Sequence, residues 1–156
     1  MKHQIKALYI PVKKAGSYIK LIALASSIFT AQIQAEVVVI VNPDNPIQSL
    51  SKKDVQRLFL GRMHKFPNSD MKVESLDGPE DGKDYDIFYS KIIKMSKSKL
   101  KRYRAYYLFS GKGRLPTQMK SSEKILTYIS NTKNAIAYIN KKYVEGVESV
   151  KIVYPD

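Results

Sequence analysis

Val37-Val38-Val39-Ile40-Val41 is an unbroken β-branched run, and such a run predicts a strand buried on both faces. Asn42-Pro43-Asp44-Asn45-Pro46 ends it with turn-forming residues. Ser51 then stands as a helix N-cap with Asp54 three positions on, and Leu50 and Val55 occupy the two positions of a hydrophobic staple. Val55, Leu58 and Phe59 make the inward stripe of that helix, and Gly61 is placed to end it. Lys72 to Leu76 reads as a second strand. Tyr85, Phe88, Tyr89, Ile92 and Ile93 recur at the helical period, with Glu80, Asp81 and Asp84 at the start, where the helix dipole favours negative charge. Met95-Ser96 predicts a break before a further helix with Leu100, Tyr103, Tyr106 and Tyr107 as its inward stripe. Ser121 or Ser122 caps a helix holding Ile125, Leu126 and Ile129, and 135–139 and 150–154 close the chain as strands. The alternation of strand and helix predicts one α/β domain over residues 36–156, with 37–41 central and helices on both faces.

The segment before Glu36 reads differently. Its lysines, Lys2, Lys6, Lys13, Lys14 and Lys20, meet no acid, and the apolar run 21–31 follows them. That run is shorter than the roughly 20 residues of a membrane span and matches the apolar core of a signal peptide. Ala35 offers a small residue for cleavage, so residues 1–35 are expected to be a signal peptide and the mature chain periplasmic, with no transmembrane span. An uncleaved anchoring helix is the other reading. The 156 residues carry 27 Lys and Arg against 14 Asp and Glu, a net charge of +13, and no cysteine. Disulfides, thiolate metal sites and cysteine nucleophiles are excluded together. With two histidines, one of them in the leader, a histidine metal cluster has no residues to draw on.

Four landmarks in the mature chain resemble a known family. Leu50-Ser51 with Leu58-Phe59-Leu60-Gly61 is similar to the "LS…IFLG" segment of phosphate ABC transporter substrate-binding proteins. Phe66-Pro67-Asn68 falls where that family often has an aromatic turn. Tyr103 through Pro116 resembles its "YWARLIFTGKGxPP" stretch, and Asn134-Ala135-Ile136-Ala137-Tyr138-Ile139 its "xAIGYV" strand. The resemblance implies a single lobe of the type II periplasmic-binding-protein kind, a mixed sheet flanked by helices. It also implies phosphate or another oxyanion as ligand, and an ABC permease or another envelope protein as partner. The chain is short for two lobes. It also departs from the family where the larger members hold phosphate on a Ser-Gly-Thr turn. Asp77-Gly78-Pro79-Glu80-Asp81-Gly82-Lys83-Asp84 stands there, without a hydroxyl and with four acids. Arg104 replaces a tryptophan and Ala137 a glycine.

Candidate chemistry is confined to anion binding. From Ile87 through Ser122 there are ten lysines and arginines and no acid, with Tyr89, Tyr103, Tyr106, Tyr107 and Phe109 interleaved. The pattern reads as an anion-binding surface with stacking aromatics, or as amphipathic helices whose aromatics are core and whose lysines are solvated. The second reading is favoured, and export argues against an intracellular nucleic-acid role. Ser110, Gly111, Lys112, Gly113 and Arg114 form the best local site, because two glycines turn backbone N–H groups outward and two cations add charge. A C-cap glycine followed by a basic turn is the alternative. His64 has no neighbouring nucleophile or partner in sequence, and the carboxylates of 77–86 fit helix-terminal charge better than an acid/base pair. The expectation is a non-enzymatic, exported solute-binding-type domain without cofactor or metal, or else an accessory module that has lost its ligand and uses its basic face on a partner.

Overall fold

The computed structural model describes residues 36–111 and 114–155. The expected signal peptide and two residues of the glycine loop, Lys112 and Gly113, lie outside the described residues. Strand β1 (Val37–Val41) is followed by α1 (Lys52–Phe59), β2 (Glu74–Asp77) and α2 (Lys83–Ile87), which runs directly into a π-helical turn, Phe88–Ile92. Then come α3 (Lys97–Phe109), β3 (Thr117–Gln118), α4 (Ser122–Asn131), β4 (Ala135–Asn140), a short 3-10 turn and β5 (Lys151–Tyr154). The five strands form one mixed sheet in the order β3-β2-β4-β1-β5. β2 runs parallel to both β3 and β4, whereas β1 runs antiparallel to both β4 and β5.

Alternation along β1 and β4 divides the interior into two cores. Val37, Val39 and Val41 join Ile136 and Tyr138 under α1, α2 and the π turn, with Val55, Leu58, Phe59, Tyr85, Phe88 and Leu100 filling that side. Val38 and Ile40 join Ala135, Ala137 and Ile139 on the other side, covered by Ile125 and Ile129 of α4. The β-branched run is therefore buried on both faces, as its composition demands. An aromatic cluster anchors the first core: Phe88 stacks on Tyr138 with ring centroids 3.9 Å apart, and Phe59 meets Phe88 edge-on at 4.7 Å.

The predicted caps form. Ser51 accepts the Asp54 N–H at 3.2 Å while its hydroxyl donates to the Asp54 carboxylate at 2.6 Å. Ser121 likewise accepts the Lys124 N–H at the start of α4, and Ser96, which the sequence marked only as part of a break, accepts the Lys99 N–H at the start of α3. The turn after β1 does more than reverse the chain. Asn42 donates to the carbonyls of Ile129 and Ser130, and Asn45 to that of Lys133, so two buried amides tie this turn to carbonyls in the last turn of α4 and just beyond it.

Three expectations need correction. The second strand starts at Glu74, because Lys72 is occupied in an isolated bridge with Lys65. The two-residue β3 carries no hydrophobic pattern and escapes a sequence reading. Tyr106 is not in the inward stripe of α3: it is 64% exposed, and Arg104 takes the inward place. With Phe109 also exposed, the view of every interleaved aromatic as core does not hold for this helix.

Candidate functional site

Gly61 brings the candidate loop to the body of the protein. It follows the α1 C-cap at a φ of +70°, the left-handed region in which glycine meets no penalty. A Cβ there would approach the Arg114 carbonyl oxygen to 2.7 Å and the Tyr107 ring to 3.0 Å. The chain at Arg114 thus rests directly on the end of α1. Tyr107 and Tyr103 of α3 fasten the same junction by donating to the carbonyls of Gly61 and Leu60, at 2.7 and 2.8 Å. Ser110 is the C-cap of α3 and Gly111 lies beyond it at a φ of +64°, so the C-cap alternative fits these two residues.

Gly111 and Arg114 both line a cleft of about 750 Å³ between the end of α1, β2 and the approach to β3. His64, Lys72, Ser75, Thr117 and Asn134 share its walls. Of these, sequence reading singled out only His64, as a surface residue, which by exposure it is. The Ser75 hydroxyl is buried without a hydrogen-bond partner among the described residues. The one carboxylate in the wall, Glu74, already accepts from the Tyr128 hydroxyl at 2.6 Å. A wall with two cations, an imidazole, two hydroxyls and an amide against one engaged carboxylate has the donor excess that an anion requires.

The acidic turn proves to be two different things. Glu80, Asp81 and Lys83 lie toward solvent, but Asp77 is 1% exposed. Its carboxylate takes the Arg104 guanidinium on one oxygen at 2.5 Å and the Tyr89 hydroxyl on the other at 2.6 Å. Arg104 also donates to the hydroxyls of Tyr89 and Tyr85. The Gly78 N–H, which in an anion-binding turn would face a ligand, donates to Tyr138 at 3.2 Å, and its carbonyl accepts from Gln118. Burial pushes the Asp77 carboxyl above its ordinary range, against the pull of Arg104 and Tyr89. Burial also raises Tyr89 and Tyr138, and holds Tyr85 up at about 12. For Arg104, burial works against the charge, and Tyr89 and Asp77 outweigh it, so the guanidinium stays charged. The turn 77–84 thus holds an internal ion pair and spends its Gly78 N–H and carbonyl on the protein's own side chains. Asp77 was not legible as half of a pair, because Arg104 lies on another element and reads locally as one more cation of a basic helix.

No family model matches the chain, and no curated protein does either. Solved structures do. One, described as a phosphate ABC transporter substrate-binding protein with bound phosphate from Clostridium perfringens, aligns with a TM-score of 0.57 at 17% identity over 75% of this chain and 43% of its own. PstS from Borrelia burgdorferi aligns with a TM-score of 0.60 at 16% identity over 77% of this chain and 49% of its own. The chain thus spans less than half the length of these structures, and its described part has their mixed α/β fold.

Proposed function

We propose that residues 36–156 are an exported solute-binding-type lobe that holds phosphate or a similar oxyanion weakly, and that the protein binds rather than catalyses. The observation that carries this reading is the cleft in which Gly111 and Arg114 meet Lys72 and the unpartnered Ser75 hydroxyl. Ser110, Gly111, Lys112, Gly113 and Arg114 remain the proposed ligand loop, now joined by Lys72 and Ser75. The fold shared with a phosphate-bound protein supports the same ligand class. Residues 1–35 would act as a cleaved signal peptide placing the lobe in the periplasm, where an ABC permease or another envelope protein would receive it. No described helix is long and apolar enough to cross a membrane.

The affinity should be low. A cleft open on one side leaves the anion partly hydrated and screened, and exposed cations contribute only about 1 kcal/mol each. A dissociation constant of about 10 µM or weaker is expected. Calorimetry with inorganic phosphate at two salt concentrations tests it: binding should weaken with salt, and Arg114→Ala with Lys72→Ala should abolish the heat. Submicromolar, salt-insensitive binding would contradict the open cleft. The Asp77–Arg104 pair favours a second reading, an accessory module whose ligand site has been closed by its own residues. Absence of heat with any oxyanion would select it.

A further inference from the structure

Helix α3 presents a solvent face that no other described residue covers. Its inward side is Leu100, Tyr103, Arg104 and Tyr107, whose contacts with α1, β2 and the π turn are described above. The opposite arc is exposed along its whole length and changes character halfway. Lys99, Lys101 and Arg102 occupy the first half, with no ion pair assigned to any of them among the described residues. Ala105, Tyr106, Leu108 and Phe109 occupy the second. Phe109 is 93% exposed, Tyr106 64% and Leu108 59%, and these are the three most exposed large hydrophobic residues described.

We propose that this face docks the protein on the surface of an anionic phospholipid membrane, with Phe109, Leu108 and Tyr106 entering the headgroup boundary and Lys99, Lys101 and Arg102 contacting phosphates. Three features select this occupant. The face has apolar and cationic halves side by side, the composition that binds an anionic interface, where buried apolar area and charge attraction add. The stretch 87–122 contains no acid in sequence, and the carboxylates that reach α3 from outside it, Asp86, Glu80 and Asp77, lie against Lys97 and Arg104 and not against Lys99, Lys101 or Arg102. The apolar side chains stand on a convex helix surface, and none of them lines the cleft of Gly111 and Arg114. Protruding side chains without a groove suit a fluid interface, which closes around them, better than a rigid protein face. A second copy would set Lys99, Lys101 and Arg102 against the same three cations of its partner. The proposal is independent of anion capture in the cleft.

The chain contains no tryptophan, so Phe109→Trp in the full chain gives a reporter at the site itself. Its emission should shift to the blue on vesicles containing about 30% phosphatidylglycerol and not on phosphatidylcholine alone. Salt of about 0.5 M should reverse the shift. In that background, replacing Lys99, Lys101 and Arg102 by Ala, or Leu108 by Ala, should raise the lipid needed, the triple change by at least about tenfold. Tyr143→Trp, on the 3-10 turn beside the other core, should not shift. All these side chains are exposed, and circular dichroism should show the fold intact. No shift of Phe109→Trp on anionic vesicles overturns the proposal. So does an equal shift of Tyr143→Trp, or a lipid requirement unchanged by loss of the three cations. A shift that grows with protein concentration without lipid overturns it in favour of a second copy.

Discussion

Asp77 and Arg104 show how a single pair can decide what a turn is for. Replacing Asp77 by Asn keeps the shape and leaves a guanidinium that is only 15% exposed with the exposed Glu80 carboxylate, 4.0 Å away, as its remaining counter-charge. An amide turns its NH2 on one of the two donors that Asp77 accepts, Tyr89 and Arg104, and a buried donor left unsatisfied costs about 1–3 kcal/mol, a loss that chemical denaturation of Asp77→Asn at pH 7 should read. The same comparison has a pH signature. A carboxyl raised on folding keeps its proton more readily folded than unfolded, so its contribution to stability is complete below its ordinary value of 3.8 and declines as pH rises through the folded value. The advantage of the native protein over Asp77→Asn should therefore widen on acidification from neutral pH. A narrowing gap would mean that Arg104, not burial, governs the carboxyl. Sequence reading grouped Asp77 with Glu80 and Asp81 because local pattern sees neighbours, and it placed Tyr106 inward because an arginine is an unpromising core residue. Both misreadings have one cause: Asp77 draws Arg104 toward the interior and turns the outward arc of α3 to include Tyr106.

At the scale of elements, the helices whose stripes were apolar were legible and the junctions between them were not. Val55, Leu58 and Phe59, like Tyr85, Phe88, Tyr89, Ile92 and Ile93, are all buried, because burial of a regular stripe follows from periodicity alone. Phe59→Ala or Phe88→Ala should each cost about 3–5 kcal/mol in denaturant titration, the range for a buried phenylalanine. A loss under about 1 kcal/mol would show that the cluster around Tyr138 closes over the gap. Gly61 marks a junction. Its role as a helix stop was readable, but its close approach to the Arg114 backbone depends on a segment far along the chain. Gly61→Ala should cost about 1–3 kcal/mol from backbone strain and should lower whatever oxyanion affinity the cleft has, since the Arg114 chain must move away. Thermal unfolding and phosphate calorimetry on that one variant separate the two effects. The cleft itself was half legible: Gly111 and Arg114 belong to a recognisable loop, whereas Lys72 and Ser75 carry no local mark and join only through sheet pairing.

For the whole molecule, the fold class was legible from alternation, and the direction of the strands was not, because periodicity carries no information on which strand pairs with which. The proposed export makes the simplest claim at this scale: N-terminal sequencing of the protein from an envelope fraction should begin at Glu36, and an intact leader in the cytoplasm would contradict it. The sheet adds a kinetic consequence. Val37–Val41 is made before its strand partners among the described residues, 135–140 and 151–154. Until nearly the whole chain has emerged, this most hydrophobic strand has nothing to pair with, and the ends of a long loop must meet before it is rewarded. Chains cut before Ala135 should therefore stay protease-sensitive. Under the proposed export, a nascent chain of this topology would lack its central pairings until late, which is the state a narrow secretion channel needs to thread.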